Sequence, residues 1–334
     1  MKSPLSNALM VLFLFVAMQM TEAQNSSGFH VAKTYKIASS GGWDYISVGA
    51  NGRIYASHGS QVNVLDEITG DSVGVIPNTT GVHGIAFDET GKGYTSNGRL
   101  NTVTVFDLKS NEVLAQIPAG QNPDAIMYEP FSKKIITCNG RSSDLSVIDP
   151  VTQKVVATIP VGGKPETAVS DGAGKIFVNI EDKSRIDVVD LASQKVINSW
   201  TLSPGEGPTG LSIDRITKRL FAGCDKLLVV MDAENGNIID KLPIANGCDG
   251  VGFDKGLRYV FASCGEGKLT VIQEKSANQF LVIDNVITKR SARTIAVDDK
   301  NHEVFLPAAD TENGNPGERP KMIPGTFQIL VVTQ

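Results

Sequence analysis

Short runs of alternating apolar and polar residues fill the chain from residue 30 onward, and none carries the 3.6-residue period of an amphipathic helix. One run recurs, in which β-branched residues or leucine close on an acid. It reads Val62-Asn-Val-Leu-Asp66, Val103-Thr-Val-Phe-Asp107, Leu145-Ser-Val-Ile-Asp149, Ile186-Asp-Val-Val-Asp190 and Leu228-Val-Val-Met-Asp232. Leu269-Thr-Val-Ile-Gln273 follows with Gln in the acid's place, and Ile329-Leu-Val-Val-Thr333 ends the series. The first six end points lie 41, 42, 41, 42 and 41 residues apart; the last gap is 60 and holds an insertion. Repeats of this length belong to propellers and solenoids.

Each unit carries four strand signals. A first strand rich in small residues (Gly84-Ile-Ala-Phe87, Ala125-Ile-Met-Tyr128) leads through a tight polar turn to a second such as Tyr94-Thr-Ser-Asn97, Ile136-Thr-Cys-Asn139 or Phe261-Ala-Ser-Cys264. The valine-rich third strand comes next. The fourth ends in Ile-Pro or Leu-Pro, at Ile76-Pro77, Ile117-Pro118, Ile159-Pro160 and Leu242-Pro243. Proline in a strand belongs at a sheet edge, which suits the outermost strand of a blade. The pattern predicts an all-β, seven-bladed β-propeller of four-stranded antiparallel blades. The last copy stops at its third strand, so the segment His30–Ile37 is expected to complete that blade and close the ring.

The repeats, especially Tyr94-Thr-Ser-Asn97 followed by Val103-Thr-Val-Phe-Asp107 and Ile117-Pro-Ala-Gly120, resemble the YVTN or YncE-like family of bacterial β-propellers. The likeness covers residues 30 to 334 and is looser in the last three copies, with Phe221-Ala-Gly-Cys224 and Phe305-Leu-Pro-Ala308 at the signature position. It implies an exported seven-bladed propeller and brings no accepted catalytic constellation with it.

Composition narrows the partners. Of 334 residues, 41% are hydrophobic and 20% charged, with a net charge of −5, which suits a folded protein and disfavours nucleic acid, whose binders need a basic footprint. Lys2 ahead of the apolar run Ala8–Met18, with Thr21 and Ala23 before Gln24, reads as a cleaved secretory signal over residues 1–23. That run is too short to span a bilayer, so no membrane insertion is expected. Residues 24–29 then form a flexible lead-in, 30–334 a single domain, and the product is periplasmic or secreted and monomeric. Asn25-Ser-Ser27 and Asn78-Thr-Thr80 are formal glycosylation sequons.

Loops joining strands one to two and three to four are short and alike. The opposite face, with the second-to-third loops and the crossovers between blades, varies from copy to copy, as binding loops on a rigid frame do. The crossover position just before each first strand gives Asp44, His83, Asp124, Glu166, Thr209, Asp249 and Arg293, which the ring should gather into an acidic funnel with Trp43 at its rim. The second-to-third loops add His58, Arg99, Arg141, Arg185, Asp225 and Glu266. Arg99 and Arg141, in adjacent Asn-Gly-Arg segments, are a pair suited to a carboxylate or phosphate. The insertion Asp310–Pro324 reaches the same face, as a flap or as loop drift.

Four cysteines at spacings of 86, 24 and 16 residues match no zinc or redox motif. After export Cys248 is a disulfide candidate with Cys224 or Cys264, stapling blades five and six, or all remain buried thiols; Cys138 packs as a small hydrophobe. No metal ligand set and no organic cofactor are assigned, though the funnel suits a cation. Nucleophile elbows, zinc-protease motifs and phosphate loops are missing. The leading expectation is a binding or interaction module for a protein or small polar ligand. The alternative is a lactonase-like hydrolase using His83, Asp124, Glu166 and Arg293. A haem-holding electron carrier would have only His58 and His83 as axial ligands.

Overall fold

The acid that ends each third strand earns its place in the turn that follows. Asp66 Oδ1 accepts the backbone N–H of Ile68 and Thr69 at 3.0 and 2.9 Å, and Asp107 Oδ1 those of Lys109 and Ser110 at 2.9 and 2.8 Å. Asp149, Asp190 and Asp232 cap their turns in the same way. Four positions after each acid the backbone takes a positive φ, at Gly70 (73°), Asn111 (63°), Gln153 (54°), Gln194 (57°) and Gly236 (77°). This is an Asx-type turn, which needs a side-chain acceptor at its first position and a left-handed residue at its end. Gln273 breaks the series, and there the hairpin runs on, with strands of nine residues each, Lys268–Ser276 and Gln279–Ile287.

The recurrent Thr-x-Asn of the second strand is structural as well. Asn97 Nδ2 donates to Thr104 Oγ1 at 2.8 Å while its Oδ1 accepts Thr95 Oγ1 at 2.9 Å. Asn139 repeats this with Ser146 at 2.9 Å and Thr137 at 3.0 Å. The signature thus ties the second strand to the third inside a sheet covered on both faces, where an unpaired amide would be costly.

The computed structural model describes residues 27–37, 39, 41–312 and 321–334. The signal-peptide reading, the Asn25 sequon and the middle of the insertion lie outside the described residues. Seven four-stranded antiparallel sheets form the blades. Among the described residues the helical segment is the short 3-10 turn Glu181–Lys183, and among them no helix is long and apolar enough to cross a membrane.

Small residues in the first strands let the blades converge on the axis. A Cβ on Gly210 would stand 2.6 Å from the backbone N of Val251 in the next blade. The apolar core lies between blades: Tyr94, Val103 and Val105 of blade two pack with Ile135 and Ile148 of blade three. At the seam, Tyr35 and Ile37 join Trp43 and Ile54 of the first blade to Phe305, Phe327 and Ile329 of the last.

The ring closes as the repeat pattern predicts. His30–Lys36 pairs antiparallel with Gln328–Thr333, from His30 opposite Thr333 to Lys36 opposite Gln328. One expectation is corrected here: residues 27–29 are not a loose lead-in. Phe29 is buried edge-on against Tyr259 and Phe261, at ring distances of 5.7 and 5.2 Å, and Ser27 Oγ donates to Asp284 at 2.6 Å.

Candidate functional site

A β-bulge opens the first strand of five blades. Strand register skips between Trp43 and Ile46, Val82 and Ile85, Pro123 and Ile126, Pro165 and Ala168, and Cys248 and Gly250. A bulge re-aims the side chain it carries. Here it frees Asp44, His83, Asp124, Glu166 and Asp249 from strand alternation, and their contacts show them meeting at the channel mouth. Glycine amides stitch the second-to-third loops to the crossovers, Gly59 to Gly42 at 2.7 Å, Gly98 to Gly81 at 2.8 Å and Gly265 to Gly247 at 2.7 Å. The frame around the mouth is therefore fixed.

The ring positions form one charge network. His83 Nδ1 donates to Asp44 Oδ2 at 2.6 Å and stands 3.6 Å from Asp124 Oδ1. Asp44 Oδ1 accepts Arg293 Nη2 at 3.2 Å, and Arg293 Nε donates to Asp249 Oδ2 at 2.6 Å. Thr209 turns aside, donating its hydroxyl to the carbonyl of Cys248 at 2.6 Å. Lys164, which the ring reading passes over, lies 3.1 Å from Glu166 and also pairs with Glu181.

Crowding acid groups in a half-dry mouth shifts them. Burial, then the nearby Asp44, outweighs the attraction of His83 and lifts Asp124 to about 6. Burial and the charge of Asp124 lift Glu166 to about 8 against the pull of Lys164. Burial raises Asp249 too, though Arg293 opposes it. For His83 burial works against the imidazolium, but the bond to Asp44 and the charges of Asp124 and Glu166 win and raise it. Arg293 and Lys164 are raised despite burial, by Asp249 and Asp44 in one case and by Glu181 and Glu166 in the other. Each group leans toward the protonation state that balances its neighbours.

Beside this network lies a cavity of about 980 Å³. Lys164, Glu166, Glu181, Asp249, Glu266, Arg290 and Arg293 give it charged walls, and Trp43 and Met322 give it apolar ones. Arg290 is exposed and takes no ion pair among the described residues. Trp43 is buried against Phe327 at 5.2 Å, so it is a packed wall rather than an open stacking surface. The insertion returns as a strap: Thr311 bridges Met322, Asp310 pairs with Lys289, and Met322 lines both this cavity and a neighbouring one of about 240 Å³.

The loop-face candidates divide. Arg99, Arg141 and Asp225 are exposed, and neither arginine takes an ion pair among the described residues. Glu266 is exposed at the cavity rim and pairs with Lys268 at 2.9 Å. His58 and Arg185 are corrections. His58 is 1% exposed, bonded to Ser39 and the Gly41 carbonyl and stacked on Phe327 at 4.0 Å; burial holds its imidazole below the usual range. Arg185 is spent on the buried Asp187, with contacts of 2.7 and 3.0 Å, and on the Val161 carbonyl at 2.9 Å. His58 ends a strand and is covered by Phe327 from the far end of the chain, whereas Arg185 opens a strand and is taken up chiefly by Asp187 two residues on.

All four cysteines are buried free thiols. Cys248 and Cys264 are register partners inside blade six, so a bond between them would join two strands of one blade, not two blades.

No protein-family description matches the chain, and no curated protein matches it. Among solved structures it is similar to hydrazine synthase from Kuenenia stuttgartiensis, with a TM-score of 0.71 at 13% identity, covering 79% of this chain and 92% of that one. At that identity the likeness is one of fold.

Proposed function

We propose that this protein is an exported binding propeller of the YVTN or YncE-like kind, and that it captures a small zwitterionic ligand at its mouth. The repeat signature supports the family and the N-terminal leader supports export. The observation that carries the ligand class is the cavity of about 980 Å³, in which the unspent Arg290 is placed for a carboxylate and an incoming ammonium would exchange with Lys164 at Glu181. Charges of both signs, contributed by different blades, select for a ligand with both.

The hydrolase alternative gains no support from the geometry. Its base would be Nε2 of His83, but the neighbouring carboxylates favour the imidazolium, which has no lone pair to take a proton. Its electrophile would be Arg293, which is already shared by Asp249 and Asp44.

The test is a thermal-shift screen of amino acids and short peptides against the full chain. A zwitterion should raise the melting temperature, and Arg290→Ala and Glu181→Gln should each abolish the shift. A panel without effect, or variants that respond like the parent, would sink the reading.

A further inference from the structure

Asp44, His83 and Asp124 stand on the first strands of three successive blades, and each offers one ligand atom within 4.8 Å of the other two. His83 Nδ1 is 2.6 Å from Asp44 Oδ2 and 3.6 Å from Asp124 Oδ1. A second observation is independent of that clustering. Asp124 is 8% exposed, and its Oδ1, the oxygen turned to His83, is buried without a hydrogen-bond partner among the described residues. A buried carboxylate oxygen left unmatched is costly and calls for an ion or a water.

We propose that Asp44, His83 and Asp124 bind one first-row divalent transition-metal ion, with Zn²⁺ the tightest of the common candidates. One imidazole nitrogen and two carboxylate oxygens suit Zn²⁺, Fe²⁺ or Mn²⁺, whereas Ca²⁺ asks for six or more oxygens and soft ions ask for thiolates. The ion takes the place of the proton that His83 Nδ1 donates to Asp44. Supporting contacts are built in. Arg293 holds Asp44 by its other oxygen at 3.2 Å, leaving Oδ2 for the ion, and Thr294 Oγ1 donates to the Asp44 carbonyl at 2.6 Å. The ring of His83 fits only because residue 98 is glycine, where a Cβ would meet Nε2 at 2.6 Å. Three protein ligands leave a coordination position open at the mouth. The site stands whether or not the adjoining cavity takes a zwitterion.

The full chain, stripped with chelator and titrated calorimetrically with ZnCl₂, should take up one ion. Asp124→Asn should weaken uptake by at least about ten-fold, while His30→Ala, on the closing strand, leaves it unchanged. Histidine ¹⁵N spectra of the unmutated chain give a reading independent of whether variants fold: of the four histidines, His83 should shift with the added metal. Zinc uptake that Asp124→Asn leaves intact, shifts at another histidine in place of His83, or no uptake at all would overturn the assignment.

Discussion

His83 meets Asp44 across the boundary between the first two blades at 2.6 Å, while the other oxygen of Asp44 receives Arg293 from the last blade. One carboxylate therefore links three blades at the seam where the ring closes. Asp44→Ala should lower unfolding stability by about 2 kcal/mol, since it leaves two charge-assisted donors short of an acceptor. Urea denaturation checks this, and an unchanged midpoint would mean that the seam rests on strand pairing alone.

On the opposite face, Glu67 is 5% exposed beside Asp298 of the last blade. Burial first, then the hydrogen bond and charge of Asp298, raise its carboxyl to about 7 from an ordinary 4.5. Because the folded value is the higher one, its protonated form contributes stability below the unfolded value. That contribution fades as pH climbs through 7. Glu67→Gln should match the parent at pH 4 and exceed it by roughly 1 kcal/mol at pH 8, after allowance for screening near the surface. Urea midpoints across that range would read it, and parallel profiles would refute it.

Two arginines of the loop face should part company under mutation. Removing Asp187 takes an acceptor from Arg185, which keeps access to water, and from Ser199, so Asp187→Ala should cost about 2 kcal/mol. Arg99→Ala, at an exposed position with no ion pair among the described residues, should stay within about 0.5 kcal/mol of the parent. Guanidinium melts of the two variants distinguish a structural arginine from a spare one.

These outcomes mark how far the sequence is legible. The blade plan is readable because its signals are local: an acid four residues ahead of a left-handed position, a Thr-x-Asn pair, a proline at the outer edge. The funnel positions are readable because each sits at the start of a small-residue strand or just before it. What covers a residue is not local. His58, at the end of a second strand, is covered by Phe327 from the far end of the chain, and Arg185 is held in part by the Val161 carbonyl of the preceding crossover. Lys164 was within reach, since it stands two residues before Glu166 on the same crossover. Arg290 and Met322 carry no repeat signal, because they lie in the one irregular unit.

The thiols should be silent in the native protein. Burial pushes Cys224 up to about 12 and raises Cys138, while the Cys248 thiol is raised by its hydrogen bond to Cys264 and then by burial. Thiolate is the reactive species, so Ellman's reagent at pH 8 should find none of the four in the folded chain and all four in concentrated guanidinium. A denatured count of two would instead mean that Cys248 had been oxidised with Cys264 or with Cys224.

Closure of the ring by the first strand sets the last prediction. Phe29 contributes nothing to the repeat, yet it fills a gap between Tyr259 and Phe261 just before the strand His30–Lys36 docks. Emptying that gap removes apolar contact and loosens the seam at its free end. Phe29→Ala should therefore cost about 3 kcal/mol in unfolding stability. The closing strand should also exchange its amide hydrogens faster than Ile329–Val332, which remains paired on its other side with Val304–Pro307. Equal protection of the two strands in the variant would show that backbone pairing, not the aromatic plug, holds the ring shut.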